Sequence, residues 1–196
     1  MSPIKPSWTF GAGLLALLIF TAYFPTFQNF YIWDDDQYLT QNPFLADFEG
    51  LKRIWLDMRA MPQYYPMVFT SFWIEHQIWG LDPVGYHVDN VVIHCFNALL
   101  FWRILVLLNI KGSWLGAAIF ALHPVQVESV AWVTERKNVL SGLFLLLSLL
   151  SFFRFYNPVQ GLDPFVKSAK LKVWSTYGIS MVLFIFALLS KTVTCT

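Results

Sequence analysis

The residues best suited to chemistry lie in two short polar islands beside long apolar runs. The first is Tyr31-Ile32-Trp33-Asp34-Asp35-Asp36-Gln37-Tyr38-Leu39, directly after the apolar stretch Phe10 to Phe27. Three adjacent carboxylates at the mouth of a membrane helix repel one another, and nearby hydrocarbon disfavours their ionised forms. Such a place suits a base that removes a proton from a hydroxyl, or hard oxygen ligands for a divalent cation. The second island is His123-Pro124 with Glu128, followed by Glu135-Arg136-Lys137-Asn138. Asp34, Asp35 and Glu128 are the candidate acid-base groups. Arg136 and Lys137 are candidate phosphate contacts, the arginine through two parallel N–H donors. His123 and Asp36 are further candidates for substrate binding. Plainer readings stand beside these: a helix cap and loop charges for the aspartates, pairing of Glu128 and Glu135 with Arg136 and Lys137, and helix-end hydrogen bonding for His123.

Those islands need elements to hold them, and composition says which kind. Of 196 residues, 57% are hydrophobic and only 13% charged, where soluble domains carry about a quarter charged residues. The chain reads as an all-α integral membrane protein. Its 18% aromatic content suits interfacial belts, and a net charge of +1 gives no basic field for nucleic acid. Two cysteines, Cys95 and Cys195, make no disulfide framework.

A helix needs about 20 apolar residues to cross a bilayer. That criterion predicts about five spans, near 8–27, 86–110, 113–133, 139–156 and 173–190, in one transmembrane domain over 1–196. The loop 28–85 between the first two carries eight acids and three bases. Within it, 44–58 and 68–79 have the 3–4 apolar spacing of short helices lying at the interface. The second span opens with His87, Asn90, His94 and Asn97 on one helical face, a stripe that must meet other helices because lipid would not satisfy it. His87 and His94 lie two turns apart, too far to share a zinc ion. His123-Pro124 breaks the third span, since proline lacks the N–H that a helix needs. Neither a nucleophile elbow nor a phosphate-binding glycine loop is present.

Lysines set the orientation. Lys5, Lys111, Lys167, Lys170 and Lys172 place the N-terminus and two connections in the cytoplasm. Both polar islands then share the opposite side, periplasmic in a bacterium or lumenal in a eukaryote, with a bacterial inner membrane expected ahead of the endoplasmic reticulum.

Several gapped blocks, in order, resemble a known family. They are Asp34-Asp35-Asp36 with Leu39-Thr40-Gln41-Asn42-Pro43, then Tyr65-Pro66-Met67, then Trp79-Gly80-Leu81-Asp82-Pro83-Val84-Gly85-Tyr86-His87 with Asn90 and His94. The most specific is Ala118-Ile119-Phe120-Ala121-Leu122-His123-Pro124-Val125 with Glu128-Ser129-Val130-Ala131. Together they resemble the transmembrane O-mannosyltransferases that carry tetratricopeptide repeats, and related bacterial membrane proteins with such repeats. The resemblance implies a partial GT-C fold and an inverting glycosyltransferase. Its donor would be a polyprenyl-phosphate sugar, mannose for example, and its acceptor a hydroxyl of a protein Ser/Thr or a glycan. It also implies that an acid opening the first external loop, Asp34 or Asp35, serves as base or helps bind the acceptor. A second acid in the next external connection maps onto Glu128. No cofactor is fixed by the pattern, and a divalent cation held by the aspartates stays open.

Two departures bear on this. Such transferases have roughly twice as many spans followed by a repeat domain, so the chain is expected to be a fragment, whose activity as it stands is open. Some relatives also have an arginine just before the Tyr65-Pro66 site, where this chain reads Tyr64-Tyr65. Rival readings are a non-catalytic anchor or scaffold for a repeat domain, and a transporter-like bundle whose broken helix lines a path.

Overall fold

The computed structural model describes residues 8–159 and 167–192, with side chains described for 8–156 and 174–192. Eight α-helices are described: α1 Trp8–Tyr23, α2 Phe48–Leu56, α3 Pro66–Trp79, α4 Pro83–Leu107, α5 Ser113–Leu122, α6 Gln126–Ala131, α7 Arg136–Val159 and α8 Lys167–Ser190. Among the described residues there are no strands. The chain is an all-α membrane protein. Three helical stretches, Trp8–Gln28, Pro83–Leu107 and Arg136–Tyr156, are long and apolar enough to cross a bilayer; the apolar part of α8, Trp174–Ser190, is shorter.

Helix α4 is the axis of the bundle, packing on α1, α5 and α7, while α7 and α8 run along each other. On one flank Leu15, Ile19 and Tyr23 of α1 meet Val91, Cys95 and Ala98 of α4 and the small face Ala117, Ala118, Ala121 of α5. Gly11 lets these helices close. A Cβ there would lie 2.6 Å from the Trp102 ring, and its carbonyl accepts from Trp114 Nε1 at 3.0 Å. The second core belongs to the loop: Tyr38, Leu39, Leu45, Ile54, Phe69 and Phe72 pack with Tyr86, Val133 and Leu140. Segment 28–85 is thus a folded cap on the bundle end, with α2 and α3 as its short helices. Asp47 and Asp82 start α2 and α4 by accepting from Gly50 and Val84 N–H.

The expected third span, 113–133, is not one helix. Helix α5 has 10 residues, roughly 15 Å of rise against a hydrocarbon core of about 30 Å. It stops at His123, whose extended backbone (ψ 132°) is what a following proline imposes. The break frees carbonyls, and α4 supplies donors for them. His94 Nε2 donates to Ala121 O at 2.9 Å, Asn90 Nδ2 to Trp132 O at 3.0 Å, and Asn97 Nδ2 reaches Val139 O at 2.8 Å in the first turn of α7. The polar stripe of α4 therefore faces inward and holds the broken element in place. The lysines used for orientation, Lys5, Lys167, Lys170 and Lys172, lie outside the described side chains, as does Cys195.

Candidate active site

Trp33 begins the acidic island in the left-handed region (φ 50°), uncommon for a bulky residue, with its ring edge-on to Trp132 at 5.1 Å. The chain then turns through Asp34 and Asp35 into a single π-helical turn, Asp36–Thr40. This geometry sends the three carboxylates to different places. Asp35 is buried, accepting Ile32 N–H at 2.9 Å and Thr134 N–H at 3.0 Å. Asp34 is half-buried and accepts the Thr134 hydroxyl at 3.2 Å. Asp36 is exposed and bonds Thr40 at 2.9 Å. They do not converge on a point where one cation could sit, and among the described residues no three His, Cys, Asp or Glu side chains group that way.

Thr134 ties the first loop to the connection between α6 and α7, some 100 residues away. Beside that tie lies a cavity of about 410 Å³ whose walls include Asn29, Ile32, Asp35, His87, Ala131 and Trp132. A second hollow of about 390 Å³ adjoins it and contains Glu128 and Trp33; Asn29, Ile32, Ala131 and Trp132 line both. The structure thus brings Asp34, Asp35 and Glu128 to one end of the bundle, on either side of a shared wall. Glu128 is exposed and Asp35 is not. Burial raises the Asp35 carboxyl above its ordinary range, opposed by the Ile32 N–H and by the hydroxyl and N–H of Thr134, and helped by the neighbouring Asp34 charge. Tyr38, beside Asp34 and donating to Gln63 at 2.9 Å, is pushed up to about 12, chiefly by burial.

The candidate cations stand elsewhere. Arg136 is fully buried, with both guanidinium ends on Glu75 (Nη2 to Oε2 at 3.1 Å), Nε on Asn90, Nη2 on Tyr86 O at 3.0 Å and the Phe72 ring 5.3 Å away. It does not face the cavity, and with its donors engaged it has no free fork for a phosphate. Lys137 Nζ pairs with Glu135 at 2.7 Å and lies over the Tyr38 ring, only 12% exposed. The pairing of Glu135 with Lys137 matches the plainer reading, whereas Arg136 takes Glu75 rather than Glu128. His123 is exposed and its Nδ1 accepts Val125 N–H at 3.2 Å, a turn bond at the helix break rather than a place in the cavity.

Three residues around the site carried weaker signals in sequence. Thr134 gave none. Trp132, whose Nε1 is buried without a hydrogen bond, was one aromatic among many. Glu75 sits in the apolar run Phe72-Trp73-Ile74-Glu75, where a lone acid must have a buried partner; that rule could have found it.

Over 93 residues, 46% of this chain, it is 39% identical to the mouse protein O-mannosyl-transferase TMTC2. It is 27% identical to human TMTC3 over 134 residues and to mouse TMTC4 over 177, which are 68% and 77% of this chain. The chain resembles the transmembrane protein O-mannosyl-transferases. It spans 11%, 14% and 24% of these three relatives, so the likeness concerns a small part of each. No family profile and no solved structure matches.

Proposed function

We propose that this chain forms part of a membrane glycosyltransferase that moves a sugar, mannose by the names of its relatives, from a polyprenyl-phosphate donor to a hydroxyl of a protein acceptor. The observation that carries the reading is the buried Asp35, with its raised carboxyl, in the wall of a cavity beside Glu128 at one end of the bundle. Of the two aspartates left open by the sequence, Asp35 is the base, because it lines the cavity and Asp34 does not.

In this mechanism Asp35 takes the proton of the acceptor hydroxyl, and that oxygen forms the new bond to the anomeric carbon from the side opposite the phosphate. The bond from that carbon to the phosphate oxygen breaks, and the lipid phosphate leaves with the electron pair. A phosphate is a good leaving group, so the protein mainly supplies position and electrostatics. Glu128, solvated at the outer hollow, orients the acceptor. Donor-phosphate cations are sought beyond Arg136, which the fold consumes. On the lysine count the cavity opens away from the cytoplasm, toward the periplasm of a bacterial inner membrane ahead of the endoplasmic reticulum lumen.

The test replaces, one at a time, the aspartates aligned with Asp34 and Asp35 in a full-length relative, and measures sugar transfer from polyprenyl-phosphate mannose to a Ser/Thr peptide. Loss of about 10²–10⁴ in rate for the Asp35 counterpart, and a much smaller loss for the other, is expected. Full transfer by both variants overturns the assignment and leaves the anchor reading standing.

A further inference from the structure

The four polar residues on the inner face of α4 are all buried, at 0–3% exposure, yet they do not behave alike. Asn90 and His94 give a side-chain N–H to Trp132 O and Ala121 O of the broken-helix region, and Asn97 gives one to Val139 O of α7 while its Oδ1 stays unpaired. His87, at the cavity end of the same face, forms no hydrogen bond of good geometry through either ring nitrogen. Backbone groups of Ala131 and Asn29, which line the same cavity, face its ring. Carbonyls there can only accept. A neutral imidazole carries one N–H and one lone pair, so whichever tautomer is present, one nitrogen faces no protein donor. An unpaired buried polar group destabilises a fold, and in this position it points to a ligand.

We propose that His87 is a substrate-binding residue of the Asp35 cavity, its free ring nitrogen accepting a hydrogen bond from a hydroxyl of the group that enters. The inference rests on the transferase reading for the identity of that group, but not for the geometry. A hydroxyl both donates and accepts, so a hydroxylated ring can give to His87 and Asp35 and receive from the unpaired Trp132 Nε1 on the same wall. At about 410 Å³ the cavity falls in the size range of small-molecule sites. The hydroxyl comes either from the transferred sugar or from the Ser/Thr of the acceptor.

The experiment uses the full chain in lipid nanodiscs with ¹⁵N-labelled histidine, the His87 signals being assigned by their loss in His87→Phe. Mannose 1-phosphate and N-acetyl-threonine amide are titrated separately, and the one that shifts the His87 ring signals with saturation identifies the source. In His87→Phe, affinity for that probe, read from the Trp emission, is expected to fall at least tenfold, while the thermal midpoint stays at or above that of the native chain. His87→Gln keeps part of the affinity. No shift with either probe, or unchanged affinity in His87→Phe, overturns the inference. So does a His87→Phe midpoint several degrees lower that His87→Gln restores, because the ring would then serve the fold. If His87 responds but replacement of Asp35 leaves transfer intact, the transferase reading fails and the binding role stands. If the Asp35 variant is inactive and His87→Phe binds normally, the reverse holds.

Discussion

Two buried polar clusters sit at the same end of the bundle, within the reach of one loop, and they are built on opposite terms. Around Arg136 every group is matched: a carboxylate, an amide oxygen, a carbonyl and an aromatic face surround the guanidinium. Around Asp35 the matching is incomplete, since His87 and Trp132 Nε1 are buried without bonds and the carboxyl is raised by burial. The first arrangement joins α3, α4 and α7 into a frame; the second leaves polar atoms idle beside a cavity. Saturation marks the part that holds the fold, and its absence marks the part available for a ligand. The comparison corrects a reading by charge alone, in which Arg136 is the obvious anion contact.

The largest effect should come from breaking the saturated cluster. Arg136→Met leaves Glu75 buried without its counter-charge, and loss of about 3–5 kcal/mol of stability is expected in denaturant titrations. Replacing the pair together, Glu75→Leu with Arg136→Met, should restore most of it, because a buried ion pair and an apolar pair of similar volume are close in free energy. The amide oxygen of Asn90 loses its donor in both variants, so full recovery is not expected. If the double variant is as unstable as the single one, the cluster does something other than join helices.

A second test uses pH, where the two clusters should differ in activity but not in stability. Folded Asp35 holds its proton to higher pH than the unfolded chain, whose carboxyl has the ordinary value of 3.8. Its contribution to stability is therefore complete below 3.8 and lost as pH rises through the raised folded value. Glu75 is raised by burial as well and gives the same sign. Transfer runs the other way, because the base must be ionised, so kcat/KM should rise with pH across the window in which stability falls. Asp35→Asn should flatten its share of the stability profile and abolish the activity limb together. Glu75→Gln should change only the first. An activity limb that survives Asp35→Asn would assign it to another group.

What the sequence made legible follows from how far each signal reaches. The long apolar runs, the break at His123-Pro124 and the inward stripe of α4 are local patterns, and periodicity alone exposes them. Arg136 reads as an anion contact in the sequence because its partner, Glu75, is 61 residues away in a segment that reads as loop acids. The same distance problem hid Thr134, which meets the aspartates across about 100 residues. The register of the aspartate triplet could not be read at all. It depends on one left-handed residue, Trp33, and a single π turn, neither of which leaves a pattern in residue types.

The smallest effect is expected at Thr134. Thr134→Val keeps the backbone N–H that Asp35 accepts and removes the hydroxyl, which Asp34 accepts at 3.2 Å and which also favours the ionised Asp35 carboxyl. The loss should be about 1 kcal/mol in stability, the net worth of one partly buried hydrogen bond, since Asp34 can turn to water. Transfer should fall by less than about tenfold, which is the kinetic equivalent of roughly 1.4 kcal/mol. If the hydroxyl instead positions the reacting carboxylate, it takes part in the chemical step. The rate would then drop well beyond what the stability change explains, with kcat carrying most of the loss. A rate that tracks stability leaves Thr134 as a brace for the loop.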